Sequence, residues 1–234
     1  MNCAEFTASL LEDYKTIKVL SNKNGAEVIR LRNLQNGRDI ILKKYSSAVP
    51  AYEALKTIRH DNLPEIYDSF ILDDGQIVLE EYIDGITVAD VLESGKYTYN
   101  GAVKVLNGVC LAVMTLHRYG IIHRDVKPEN VMIDNEGTVK LIDLNASRRS
   151  DPQKEKDTVA LGTIGYASPE QLGISQSDEK TDIYAIGVLL NVMLTGEHPS
   201  KKLAHGKAGR IVLKCTQIDP KHRFRSVGWL MKAL

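Results

Sequence analysis

The segment His123-Arg124-Asp125-Val126-Lys127-Pro128-Glu129-Asn130, followed after a short strand-like stretch by Leu141-Ile142-Asp143-Leu144-Asn145, concentrates the chemistry of this chain. Carboxylates, an ammonium and a side-chain amide at such spacing suit a reaction run by positioning and charge neutralisation. A lone His-Arg-Asp carries little weight, because any surface loop can hold one. Here Asp125, Lys127, Asn130 and Asp143 occur together and in order, which makes a merely solvated loop a poor alternative.

These residues need elements to hold them. Val131-Met132-Ile133 and Val139-Lys140-Leu141-Ile142 flank Asn135-Glu136-Gly137, a hairpin with one acidic signal on either side. From Tyr14 to about Tyr82, short β-type runs are joined by the turn dipeptides Asn24-Gly25, Asn36-Gly37 and Asp74-Gly75. Pro50 to Arg59 breaks this pattern with Leu55 and Ile58 at helical spacing, so the first third reads as a sheet with one helix. After Asp84-Gly85 the pattern turns helical: Thr87 and Asp90 form a capping pair, Val103 to Leu116 has helical apolar spacing, and helices resume from Thr181. The expected organisation is α+β, with residues 1–82 a sheet-rich lobe, residues 83–234 a mainly helical lobe, and Glu81-Tyr82-Ile83-Asp84-Gly85 the hinge.

The 234 residues, 43% of them hydrophobic, can bury a core. Thirty basic and thirty acidic residues give zero formal charge, which argues against nucleic acid as a partner. Cys3, Cys110 and Cys215 are too scattered for a disulfide framework or zinc site and fit a reduced, cytoplasmic setting. The apolar run from Ile183 to Leu194 is too short to span a bilayer, so no membrane insertion is expected in this chain.

The motifs resemble those of eukaryotic-type (Hanks-type) Ser/Thr protein kinase domains, in family order from about Tyr14 to the end. The resemblance implies a two-lobed fold binding ATP and Mg2+ or Mn2+, with a nucleotide beneath the hinge. It implies that Asp125 orients or deprotonates a Ser or Thr hydroxyl, Lys127 steadies the phosphoryl, and Asn130 and Asp143 hold metal. Lys43, in Ile40-Ile41-Leu42-Lys43, would grip the α- and β-phosphates, fifteen residues after Val28, the adenine-covering residue. Lys44 would point to the opposite face of that strand, and Glu81 would contact the nucleotide at the hinge. Gly162 to Glu170 looks like the substrate-docking stretch, with Thr163 near Asp125. His123, Arg124, Asp182 and a Glu170–Arg223 pair would be structural supports. Arg124 before the catalytic Asp implies ordering by phosphorylation, with Thr158 and Thr163 as candidate sites; Arg148 and Arg149 read as a solvated loop. The implied partners are ATP and a protein substrate, with a transient homodimer for autophosphorylation.

Three departures stand out. Ser21-Asn22-Lys23-Asn24-Gly25-Ala26 replaces a glycine-rich loop, which predicts altered nucleotide contacts partly offset by Lys23. Asp143-Leu144-Asn145 replaces Asp-Phe-Gly, with Asn145 expected to tolerate left-handed torsions. The helix glutamate expected opposite Lys43 is displaced: the family's spacing, nine residues back from His60, lands on Ala51, leaving Glu53 and Glu80 as alternative partners. The rival readings are a pseudokinase acting as a nucleotide-binding or scaffold domain and a small-molecule phosphotransferase.

Overall fold

A computed structural model describes residues 1–23, 25–149, 165–172 and 177–234. The chain falls into two units, Met1–His60 with Pro64–Asp84, and Asp61–Leu63 with Gly85–Leu234. The division therefore lies two residues beyond the expected one. Asp61–Leu63 goes with the second unit because Asn62 Nδ2 donates to Val139 O at 2.7 Å and Asn62 O accepts from Leu141 N at 2.9 Å.

The first unit runs α1 (Cys3–Leu10), β1 (Tyr14–Lys23), β2 (Ala26–Asn33), β3 (Asp39–Tyr45), α2 (Ala51–Leu55), β4 (Ile66–Leu72) and β5 (Gly75–Glu81). Its antiparallel sheet has the order β1-β2-β3-β5-β4. Strand alternation sends Ile29, Leu31, Ile40, Leu42 and Ile77 to one face. There α1 covers them, with the rings of Phe6 and Phe70 4.6 Å apart and tilted by 42°. The opposite face takes Tyr52 and Leu55 of α2. Two helices thus serve this sheet where the sequence pattern had suggested one. The overlooked α1 starts with a reciprocal cap, Asn2 Oδ1 accepting from Glu5 N and Glu5 Oε2 from Asn2 N. The expected helix over Pro50 to Arg59 is shortened to Ala51–Leu55.

The second unit contains β6 (Gly85–Thr87), α3 (Val88–Ser94), α4 (Tyr99–Arg118), β7 (Ile121–Ile122), β8 (Val131–Asp134), β9 (Val139–Leu141), β10 (Arg148–Arg149), α5 (Glu179–Thr195), α6 (Gly206–Cys215) and α7 (Val227–Ala233). The expected capping pair forms at α3, where Thr87 Oγ1 accepts from Asp90 N at 3.0 Å. Strands β8 and β9 form the expected hairpin and β6 pairs with β8. Arg148 and Arg149 are not a free loop: they pair antiparallel with Ile122 and Ile121. Among the described residues, α4 is the one helix long and apolar enough to cross a bilayer, but half of that stretch is buried. Leu106, Val109, Val113 and Leu116 of α4 are fully buried core residues.

Two glycines set how closely the core packs. A Cβ on Gly108 of α4 would meet Val139 Cβ at 2.6 Å, and one on Gly187 of α5 would meet Cys215 Cβ of α6 at 2.3 Å. Both backbones sit nearer their neighbours than any side chain allows. Gly187→Ala is expected to destabilise the second unit by about 1–3 kcal/mol, as overpacking does, read as a lower melting temperature in thermal denaturation.

Candidate active site

In the second unit the segment from His123 to Asn130 leaves β7 and is braced from beneath. Asp182, in the first turn of α5 and fully buried, accepts from His123 N at 3.0 Å and Arg124 N at 2.8 Å. His117 of α4 adds a third bond, Nε2 to Asp182 Oδ2 at 2.7 Å. On the other side Gln171 Nε2 donates to Arg124 O at 2.7 Å. These contacts hold Arg124 at φ 69, a torsion that costs a residue with a Cβ and persists only where its surroundings impose it. His117 and Gln171 carry no local motif and escape a reading of the sequence alone.

His123 is wholly buried, which pushes its pKa down and keeps the ring neutral. Its Nδ1 accepts from Asp125 N at 3.3 Å and its Nε2 donates to Ile142 O at 3.2 Å, which assigns the ring proton to Nε2. One imidazole thus ties the loop holding Asp125 to the backbone that precedes Asp143.

Asp125 Oδ2 stands 2.7 Å from Lys127 Nζ and accepts from Asn130 Nδ2 at 2.9 Å. The same Nδ2 also donates to Asp125 O at 2.8 Å. Ile142 N donates to Asn130 O at 2.9 Å, which joins the end of the loop to the residue before Asp143. Asp143 has φ 65, and its Oδ1 accepts from Asn145 N at 3.2 Å while Leu144 is buried. Asp143 is thus the residue in the left-handed region, and Asn145, expected to tolerate such a torsion, does not adopt one. The turn is closed by the carboxylate of Asp143 itself, so Asn145 has no need of that torsion.

Oxygen donors of this kind suit a hard divalent cation. Both bonds from Asn130 to Asp125 use Nδ2, so Oδ1 is the atom of Asn130 that would meet metal. Among the described residues no cluster of three His, Cys, Asp or Glu forms an all-protein cage. Waters and phosphate oxygens would complete the shell of a divalent cation held there.

Glu170 and Arg223 form a buried two-pronged pair, Nη1 to Oε1 at 2.6 Å and Nη2 to Oε2 at 2.9 Å. Burial alone would raise the Glu170 pKa, but Arg223 and the Thr181 hydroxyl together hold it below the usual carboxylate range. Thr158, Thr163 and the stretch from Gly162 to Ile164 lie outside the described residues.

In the first unit Lys43 of β3 is buried, its Nζ 2.7 Å from Glu80 Oε1 and 3.3 Å from the Tyr52 hydroxyl. Lys44 points to the other face and pairs with Glu27 at 3.0 Å. Glu53 is not at Lys43: it is partly exposed and lies 3.6 Å from Lys56. Breaking a buried pair such as Lys43–Glu80 by removing one partner costs about 3–5 kcal/mol, because the other charge is left without compensation. Val28 lies directly across the ladder from Lys43 and is half-buried. Lys23 is exposed at the end of β1, and Gly25 turns the chain at φ 74. Glu81 closes the end of β5, its Oε2 accepting from Glu65 N at 3.0 Å and its N donating to Glu65 O at 2.9 Å.

This fold and this loop are those of the protein kinases, and residues 16–226 match the protein kinase domain family. The chain belongs to that family, as a Hanks-type Ser/Thr kinase domain. It is similar to a probable serine/threonine-protein kinase of Clostridium perfringens, at 31% identity over 81% of this chain and 26% of the relative. It is similar also to PrkC of Bacillus subtilis, at 30% identity over 74% of this chain and 31% of the relative. PknB of Mycobacterium tuberculosis matches at 30% over 82% of this chain and 34% of the relative. The chain thus spans about a quarter to a third of the length of these relatives.

The His117–Asp182 contact has a pH signature. Burial lowers the His117 pKa, but the bond to Asp182 and the nearby Glu179 and Asp178 outweigh it, so the net pKa lies above the ordinary 6.5. A raised histidine pKa stabilises the fold fully below 6.5, and that contribution is lost as pH rises through the folded value. Melting curves across this window are expected to fall for the wild type and to stay flatter for His117→Gln.

Proposed function

We propose that this domain transfers the γ-phosphoryl group of ATP, with Mg2+ or Mn2+, to Ser or Thr hydroxyls of protein substrates, including its own chain. The observation that carries the reading is the Asp125 carboxylate held between Lys127 at 2.7 Å and Asn130 at 2.9 Å on a loop whose backbone is pinned to Asp182. A carboxylate so fixed is ready to accept a hydrogen bond from an incoming hydroxyl without reorganising.

As the substrate oxygen bonds to the γ-phosphorus, the bond from that phosphorus to the bridging oxygen breaks and ADP leaves. The hydroxyl proton passes to Asp125. Lys127 lies beside the same carboxylate, where its ammonium neutralises charge on the transferred group. A bound divalent cation supplies charge neutralisation at the phosphates, and Asn130 and Asp143 would be its protein ligands. Lys43 is the candidate grip on the α- and β-phosphates, and Val28, Glu81 and Lys23 are the further nucleotide contacts of this reading. The names of the bacterial relatives support Ser or Thr as acceptor.

The test is mass spectrometry of the domain incubated with Mg-ATP and a generic basic protein, beside Asp125→Asn. New phosphate on Ser or Thr is expected for the wild type, and a roughly 10²–10⁴-fold slower transfer for the variant, the range of a lost general base. Thermal-shift titration with Mg-ATP should give similar affinities for both proteins, since Asp125 is assigned no phosphate or metal. A wild type that binds Mg-ATP yet transfers nothing would overturn the reading.

A further inference from the structure

Lys43 and Glu80 sit on neighbouring strands of one sheet. Lys43 is paired with Val78 and Ile41 with Glu80, so the two charged residues are diagonal neighbours on the same face of the β3–β5 ladder. Long side chains span that diagonal, and here they close to 2.7 Å with each side chain only 5% exposed. The contact is thus set by the ladder register. A slip of one residue would send the carboxylate to the opposite face.

Helix α2 contributes something else. Its fully buried residue facing Lys43 is Tyr52, whose hydroxyl lies 3.3 Å from Nζ and 2.8 Å from the hydroxyl of Tyr45, itself on β3. Its acidic residue, Glu53, has a side chain 44% exposed, turned to Lys56. The helix is five residues long and has no side-chain cap at Pro50. So short a helix takes its position from the packing of Tyr52 and Leu55 rather than imposing one.

On the reading that Lys43 grips the α- and β-phosphates, we propose that Glu80 is its positioning residue, a carboxylate carried by a strand in place of one carried by a helix. The clamp on Lys43 is then assembled whenever the sheet is folded, whatever position α2 takes. Two residues locked by one hydrogen-bonded ladder have a single low-energy arrangement. Switching by swinging a helix toward or away from the lysine needs two arrangements, and this site is built without the second.

The test compares ATP kcat and KM, together with the Mg-ATP dissociation constant, across Glu80→Gln, Glu80→Asp, Glu53→Ala and Lys43→Ala. For Glu80→Gln, kcat/KM is expected to fall about 10²-fold, the cost of a misplaced binding group. Glu53→Ala should stay within about twofold of wild type. Glu80→Asp, which keeps a carboxylate on the same strand and face, should retain about tenfold more kcat/KM than Glu80→Gln, which loss of packing alone would not explain. Glu80→Gln within about twofold of wild type, or Glu53→Ala as damaging as Glu80→Gln, overturns the proposal. If Glu80→Gln does not fold, Glu80→Asp carries the test, and a folded Glu80→Asp with no more transfer or nucleotide binding than Lys43→Ala overturns it. If even the wild type transfers no phosphate, the kinase reading fails separately. The Mg-ATP dissociation constant then decides the pair: a rise for Glu80→Gln and not for Glu53→Ala supports it, and equal values sink it.

Discussion

Asp182 is a carboxylate removed from water at the first turn of α5, and nearly everything placed at the candidate active site depends on what it accepts. It receives the backbone N–H groups of His123 and Arg124 and the ring of His117. Desolvation would raise its pKa, yet these donors and the nearby histidines hold it below the usual carboxylate range, so it remains a charged anchor. The strained torsion at Arg124 is imposed by that anchor, together with the bond from Gln171 to the Arg124 carbonyl. One residue further on, the chain delivers Asp125 to Lys127 and Asn130. Helix α5 can supply so rigid an anchor because its N-terminus is closed by a capping box at Asp178 and Thr181, and its body is buried from Ile183 to Met193 with few interruptions.

The same logic governs the other buried charges. Glu170 and Arg223 meet through two parallel hydrogen bonds, and the guanidinium also reaches the carbonyls of Lys180 and Gln217. Lys43 and Glu80 meet through the register of a ladder. Asp39, with its pKa lowered to about 2 chiefly by Arg32 and also by Arg30, fastens the start of β3 to β2. In each case a buried charge that would be costly alone is compensated by a partner whose position the backbone already decides. The resulting units are rigid where chemistry needs placement.

Much of this was legible in the order of residues. Asp125, Lys127, Asn130 and Asp143 are brought together by a short loop and a tight hairpin, and spacing of that kind survives in any fold the segment could adopt. The hairpins at Asn36-Gly37 and Asp74-Gly75, the cap at Thr87 and the helix around Val103 to Leu116 are also local and were readable. The helix α1 was readable in principle, since Asn2 and Glu5 form its cap and Cys3, Phe6 and Leu10 its apolar stripe. Its signal is short, and a sheet surface to cover becomes apparent only once the strands are assembled.

What the sequence determined by itself is which chemical groups exist and which of them lie within one turn, hairpin or loop, because those distances follow from bond geometry and local torsions. What only the tertiary structure decided is which distant groups meet. Glu53 and Glu80 were equal candidates for Lys43, and the β3–β5 register together with the shortening of α2 chose Glu80. His117 became a support of the loop through Asp182, 65 residues on, and Gln171 reaches it from 47 residues away. Such contacts depend on strand register and helix packing, which the whole chain settles at once and no window of residues contains.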